Sequence, residues 1–488
     1  MAHDEKIGHA VVIGAGVAGL VAARLLCDRA TKVTLIERDP LGENTALRRG
    51  IPQAQHIHFL LGAGSQALGG LFPTFLEELE RAGARIGDCG RDWLAFLGGV
   101  WQPRSPNGIP LVGCTRVMIE QCLRRLVTSL PNLELRAGQS VRGVSFDKAA
   151  QRVNGVRLST PEKGTAEELL RADLVVDASG RGSRTPDWLT ELGYAAPLEE
   201  EVGIDMSYVT RIYQEPPDFQ ADWLVIMLHP RPDGGLRGGA VQRIDKGQAL
   251  VSLTGYAGVT PSLDAAGILE HARQLPQPQI HEYLQRVTPV SEPVMFRFPS
   301  NRRRFYERLA RMPDGLVLLG DAVCSINPAF GHGMTLSCLA VIELGRCLDE
   351  PGALGRPGFS LRYQKRVGKA IEPGWALVVS EDFRRPQTQG KRPPGLSVLQ
   401  WFNTCLTELG TLDASVYDEL TRALHLLIDP IQLMKPGLLM KAVRYALRRR
   451  SQKTPTLAAA NTVPSPGQTP RFVLQPPAIL QRSYGIAK

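Results

Sequence analysis

Two glycine-rich stretches, about 300 residues apart, carry the residue types that bind anionic cofactors. The first is Gly14-Ala-Gly16-Val-Ala-Gly19. The second runs from Gly320 to Met334, GDAVCSINPAFGHGM. Each follows an apolar run and precedes apolar residues at helical spacing. A strand that feeds a glycine loop and then a helix aims loop amides and the positive end of the helix dipole at negative charge. In the first stretch Gly14 permits a tight turn, Gly16 lets the backbone approach a pyrophosphate, and Gly19 lets the helix pack on the sheet. Glu37 stands 18 residues after Gly19, at the end of the next apolar run. There a carboxylate accepts both hydroxyls of an adenosine ribose. This unit marks a dinucleotide without distinguishing FAD from NAD. The two stretches must meet in space to hold one large cofactor.

Other residues invite chemistry with less support. His56 and His58 would share one face of a strand. No third ligand stands near them at metal-binding spacing, so no metal is expected; hydrogen-bonded histidines lining a pocket are. Arg116 falls in the first turn of a helix that Thr115 is placed to cap. A cation there gains nothing from the dipole, which points to a ligand anion nearby. No Ser-His-Asp arrangement or acid pair stands out.

The elements that position these residues are legible in outline. Apolar strands cover residues 9–13 and 32–36. A helix is predicted over 71–83, irregular chain over 93–112, and a helix over 115–126. Strands follow at 133–136, 140–147, 152–159 and 173–177, the last leading into Asp177-Ala-Ser179-Gly-Arg-Gly-Ser-Arg184. Alternating runs over 203–258 and 294–298 predict an antiparallel sheet with one face covered and one open to a ligand. Helices are predicted over 336–348, 359–369, 375–383, 398–409, 414–427 and 438–449. Residues 451–488, rich in Pro, Thr, Ser and Gln, predict a disordered tail.

Composition excludes several classes. The 488 residues are 43% apolar and 22% charged, as in a globular protein. The +9 net charge has no aromatic interleaving or motif for nucleic acid. The eight cysteines form no CxxC pair, and the first ten residues hold no apolar run. Free thiols, no secretory signal and a cytoplasmic location are therefore expected. The basic helix at 438–450 could rest on an anionic membrane, but docking by its apolar face is the expectation.

GAGVAG with Glu37, DASGRGSR and GDAVCSINPAFGHGM, in this order, resemble the FAD-dependent monooxygenases of the para-hydroxybenzoate hydroxylase type (group A). RRGIPQAQHIH, DASGRGSRTPDWL, Trp375 and EDFRRP look like the branch that includes the polyether olefin epoxidases. The resemblance implies an α/β fold: a Rossmann-like FAD-binding domain (6–190 and 305–350), an antiparallel substrate-binding sheet domain (191–304), a helical region (351–450) and the tail. It implies FAD held by Gly14, Gly16, Gly19, Glu37, Arg38, Arg49, Arg116, Gly320, Asp321, Pro328, Gly331, Gly333 and Met334. Asp321 would accept from the ribityl chain, and Pro328 to Met334 would lie along the isoalloxazine. The implied reaction inserts one oxygen atom from O2 into an apolar, natural-product-type substrate through a flavin C4a-hydroperoxide, by epoxidation of an alkene or hydroxylation of an electron-rich ring. The electron donor would be NAD(P)H, directly or through a separate reductase. The family carries Ala-Asp-Gly where this chain has Ala-Ser179-Gly, which puts direct reduction by the nicotinamide in question; Asp177 lies two residues upstream. The catalytic residue is not identified; His56, His58 and His332 are the candidates. Runner-up readings are an isoprenoid double-bond reductase and a halogenase, although Trp101-Gln102-Pro103 departs from the WxWxIP of halogenases. A flavin-fold binding protein without activity comes last.

Overall fold

Five parallel strands form the first sheet, in the order Leu316–Leu318, Leu174–Asp177, Ile7–Ile13, Ala30–Glu37 and Leu133–Ala137. The computed structural model describes residues 7–42, 48, 50–159, 167–451 and 463–466. The expected tail therefore lies almost wholly outside the described residues. The strands read as continuous apolar runs because both faces are covered: Val11, Val12, Val33, Leu35, Val175 and Leu316 are fully buried. Helices Val17–Cys27, Arg116–Thr128 and His332–Leu348 contribute to the same core. Register decides what this sheet can do. Ile13 lies opposite both Ile36 and Asp177, and Asp177 lies opposite Leu318. The strands thus end side by side, and the loops of all three motifs leave from one edge, the carboxyl edge where open α/β sheets bind ligands.

The second sheet has nine strands. Its main order is Cys324–Ser325, Val294–Phe305, Leu198–Gln214, Gln248–Gly255, Arg237–Arg243, Val225–Leu228, Trp93–Leu97 and Val100–Trp101. Residues alternate between its faces. Ile226, Leu228, Val241, Val251 and Leu253 pack under helices Ala265–Arg273 and Gln279–Leu284, on Ile268, Ile280 and Tyr283. Met206, Tyr208, Met227 and Ser252 line a cavity. One face is covered and one faces a cavity, as the alternation predicts. The strand Cys324–Ser325 pairs with Arg302 and Arg303, so the second glycine-rich stretch lies between the two sheets.

Four expectations are corrected. The sheet is mixed, because Trp93–Leu97 pairs in parallel with Val225–Leu228. Residues 93–112 are thus not irregular: a strand and short hairpin stand there, hidden because WLAFLGGVW lacks alternation and its partner lies some 130 residues away. Of two helices here, Gly62–Leu71 is not among those expected, and Phe75–Arg81 is what stands in the expected range 71–83. The first is glycine-rich for packing: a Cβ on Gly64 would stand 2.6 Å from Thr335 Oγ1. Conversely, the helices expected over 359–369 and 375–383 are one, Phe359–Asp382, continuous through Pro373. An interior proline removes one helical hydrogen bond; here the burial of Val367, Ile371, Trp375 and Val378 in the core holds the helix together.

Candidate active site

The carboxyl edge of the parallel sheet builds the first half of the site. Gly14 donates its N–H to Ile36 O at 2.7 Å and turns with φ +96°, a conformation that favours glycine. A Cβ on Gly19 would fall 1.8 Å from Gly14 O. The helix Val17–Cys27 starts at Gly16 with no side-chain cap, so its first amides stay available. A Cβ on Gly16 would meet only Ile51, at 3.7 Å. That is the open cradle a pyrophosphate needs.

Glu37 is buried at the strand end. Oε2 accepts from Ala15 N (2.8 Å) and Arg48 Nη1 (2.9 Å), and Oε1 from Asp39 N (3.0 Å). A carboxylate offers about four acceptor positions, so one remains for a ribose hydroxyl. Taking both would require Arg48 to leave. Arg48 also bonds Glu120 and the Ala15 carbonyl, which makes it the arginine that sits in the cradle. Of the arginines expected here, Arg49 lies outside the described residues, and Arg38 is exposed beside Gly50. The expectation took the second arginine of RRG; the first, Arg48, is the one seen on Glu37 and Glu120.

The second half starts from Gly320, where a Cβ would approach Ala18 Cβ to 2.9 Å; the two motifs meet there. Asp321 accepts no hydrogen bond among the described residues. Burial pushes its carboxyl up, and Arg116, Arg181 and Arg302 oppose that rise. Thr115 caps its helix through Met118 N at 3.1 Å. The guanidinium of Arg116 lies against the Met334 sulfur and pairs with Glu120 at 3.4 Å. Its Nε is buried with no partner among the described residues, and burial lowers the pKa of the side chain. A buried donor left unpaired costs about 1–3 kcal/mol, so an acceptor from a ligand is what this position lacks. Gly331 begins the helix His332–Leu348, and a Cβ on Gly333 would meet nothing within 4 Å. Together these residues fit a large dinucleotide cofactor.

Asp177 is not a substitute for the aspartate missing from the middle motif. Its Oδ1 accepts from the N–H and hydroxyl of Ser179, and its Oδ2 from Ser183 Oγ and Thr185 Oγ1, both at 2.5 Å. Fully buried, it shapes the 178–185 loop and has nothing left for a ligand.

The cavity, of about 60 Å³, lies between Pro328–Ala329 and the open sheet face. Phe59, Tyr208 and Met227 give it apolar walls; Ser252, Thr254 and His229 add polar atoms. The three candidate histidines stand differently around it. His56 is buried, with Nδ1 2.7 Å from Thr210 Oγ1, which lies 2.6 Å from Ser252 Oγ. Its Nε2 has no partner among the described residues, and burial lowers its pKa to about 4. His58 donates to the His56 carbonyl at 3.0 Å; burial, then the nearby Arg116 charge, lowers its pKa to about 3. His332 is fully buried, donates from Nδ1 to Phe330 O at 2.9 Å, and has Leu424 and His425 beside it. None of the three is among the residues lining the cavity, so the expectation that His56 and His58 line a pocket is not met; the histidine in the lining is His229.

Sequence reasoning missed what holds the second loop. Asp382 accepts from Asn301 Nδ2 and Asn327 Nδ2, both at 2.8 Å, and from Arg385 at 3.3 Å. Asn327 in turn accepts from Ala329 N (3.0 Å) and donates to Tyr256 O–H (3.3 Å), while Arg385 stacks 3.7 Å over the Tyr256 ring. In the sequence EDFRRP carries only a family likeness. A buried acid at a helix end has no local signature.

Comparisons with known proteins agree with this geometry. Residues 10–185 match the family of FAD dependent oxidoreductases. Over 383 residues, 77% of this chain and 80% of the relative, the sequence is 34% identical to Protein Rv3254 of Mycobacterium tuberculosis. The fold is similar to that of the flavin-dependent brominase Bmp2, with TM-score 0.61 at 14% identity over 91% of this chain and 100% of that one. It is also similar to PqsL of Pseudomonas aeruginosa, with TM-score 0.58 at 18% identity over 77% and 98%. A cradle of fitting residues, a matching family and a relative of this identity lead to one conclusion: the chain belongs to the FAD-dependent oxidoreductases, in one family with Protein Rv3254, and its cofactor is FAD.

Proposed function

We propose that the protein is a monooxygenase that inserts one atom of O2 into an apolar alkene or an electron-rich ring. The observation that carries this reading is the cavity between Pro328–Ala329 and the sheet. Its lining holds no Asp, Glu, Lys, Arg or Cys. A carboxylate, amine or thiol has no place in that lining; an oxygenase needs a dry, shaped pocket and leaves the hard chemistry to its cofactor. When bound, FAD relays two electrons from NAD(P)H or a reductase to O2, so that one oxygen atom enters the substrate and the other leaves as water. The chain supplies the rest. Gly14, Gly16, Gly19 and Glu37 would hold the ADP half, with Arg48 beside them. Arg116 and Asp321 would serve the ribityl chain, and the loop from Pro328 to Met334 would hold the ring. Phe59, Tyr208 and Met227 exclude water. The occupied oxygens of Asp177 support a nicotinamide that binds briefly, or a separate reductase, over a lasting nicotinamide site.

The test is to supply reduced nicotinamide, with and without a flavin reductase, and a panel of apolar alkenes and phenols under ¹⁸O2. Label in the product supports the reading. A product reduced or halogenated without label sinks it, and so does flavin-loaded protein that leaves O2 and the whole panel untouched.

The Ser252–Thr210–His56 chain favours a substrate with an acidic proton. Ser252 lines the cavity, and the imidazole behind it is neutral at pH 7. His56→Phe and Thr210→Val are expected to slow phenol hydroxylation, by less than the roughly hundredfold worth of a base matched to the operating pH, because burial holds the pKa of this imidazole at about 4. Alkene epoxidation and flavin content should stay unchanged. Equal losses on both substrate classes would make the chain structural.

A further inference from the structure

We infer that the end of the fold, Pro430–Met434 with the helix Pro436–Ser451, docks on an anionic lipid surface. The helix has two faces. Leu438 and Ala442 are buried against Phe402, Leu406 and Val416 of the neighbouring helices. Lys441 bonds Asp413 at 2.7 Å and Arg449 bonds Glu408 at 2.8 Å, which fixes that face inward. Met440, Val443 and Leu447 fall at i, i+3 and i+7, on a single outer stripe, and are 51, 46 and 61% exposed. Ile431 and Met434, just before the helix, are 65 and 46% exposed. Scattered exposed hydrophobic residues are ordinary; five within 17 residues of one another are a patch that water penalises. Arg444 and Arg448 are exposed on the same stripe, at i+4 and i+8.

Charge distribution selects the occupant. Residues 430–488 hold ten Lys and Arg and no Asp or Glu, a formal charge of +10; Lys435, Lys441 and Arg449 pair with Glu419, Asp413 and Glu408, which leaves seven cations outside those pairs. The whole chain carries +9, so the first 429 residues sum to −1. The residues beyond the helix cannot neutralise its outer face, because they add four of those cations and no acid. A nucleic acid would match the charge and leave the aliphatic stripe in water. A bilayer rich in anionic lipid takes both: the stripe enters the headgroup boundary and the arginines meet phosphates. No helix among the described residues is long and apolar enough to cross a membrane, so the association would be peripheral.

The experiment sediments full-length, flavin-loaded protein with vesicles of phosphatidylcholine alone or with about one third phosphatidylglycerol. Binding to the anionic vesicles is expected to exceed that to neutral ones by about tenfold or more, and to fall as salt is raised. Arg444→Glu with Arg448→Glu should lower the partition coefficient by about tenfold or more. Met440→Ser, Val443→Ser and Leu447→Ser together should also lower it. Bound flavin should not change in either variant, and melting temperature should not change in the serine variant, whose three side chains are exposed. Equal binding to both vesicles, no binding to either, or binding that neither variant alters would overturn the inference. So would a dimer that only the serine variant dissociates, which would assign the stripe to a second copy. Retention on duplex DNA by the serine variant, without vesicle binding by the wild type, would assign the charge to nucleic acid.

Discussion

Gly19→Ala is expected to yield a protein without bound flavin and with a clearly lowered melting temperature. The added Cβ would stand 1.8 Å from Gly14 O, 3.0 Å from its carbon and 3.5 Å from Val12 Cγ1. Relief would require the helix Val17–Cys27 to lift from the sheet. Leu20, Val21, Leu25 and Leu26 of that helix are fully buried, so it has no slack. Overpacking a filled core costs about 1–3 kcal/mol and more where backbone must move. Gly16→Ala is the control that separates fold from cofactor. Its Cβ would meet only Ile51, so the fold should survive. On the proposed placement of FAD it would nevertheless crowd the pyrophosphate. Thermal unfolding of the flavin-free proteins should therefore show a loss for Gly19→Ala alone, while flavin titration should show a loss for both. Wild-type flavin affinity in Gly16→Ala would place the pyrophosphate elsewhere.

The second large effect is expected at Asp382, which nothing in a motif search marks as important. Asp382→Ala leaves the amides of Asn301 and Asn327, both fully buried, and the Arg385 guanidinium without their shared acceptor. Removing one side of such a buried arrangement costs about 3–5 kcal/mol. Asn327 caps the Pro328–Phe330 turn through Ala329 N, so the flavin loop should loosen and FAD affinity fall about tenfold, roughly the worth of one hydrogen bond. A lower melting temperature with unchanged flavin affinity would make the network a prop for the fold alone.

The same group predicts a pH dependence. Burial raises the Asp382 carboxyl from 3.8 to about 6, against the opposing pull of Arg385, Asn301 and Asn327. The folded state therefore holds this proton more tightly than the unfolded chain. The stabilisation is complete below pH 3.8 and is lost as pH rises through about 6. Stability relative to Asp382→Asn, which does not titrate, should fall by up to about 3 kcal/mol between pH 4 and pH 7. A flat or rising difference between the two proteins over that window would contradict this assignment.

What the sequence alone determined was the strand–loop–helix units and the cofactor they serve. Gly14 to Glu37 and Gly320 to Met334 are each a contiguous run, so their turn geometry and apolar period are written locally. The covered and open faces of the second sheet were legible for the same reason, since alternation is a property of a single strand. The tertiary structure decided everything that depends on two distant segments touching. It placed Trp93–Leu97 beside Val225–Leu228, held one helix together through Pro373, and turned Arg48 toward Glu37 and Glu120. It also separated the three histidines. His56 shares its hydrogen bond with Thr210, from a strand more than 150 residues away, and His332 lies against Leu424 and His425 of the helical region. A histidine's role depends on its burial and on the partner of each ring nitrogen, and neither is set until the chain closes around it. Asp382 is the plainest case. Its partners come from residues 301, 327 and 385, and only their convergence in a buried space makes an ordinary acid at a helix end into the support of the flavin loop.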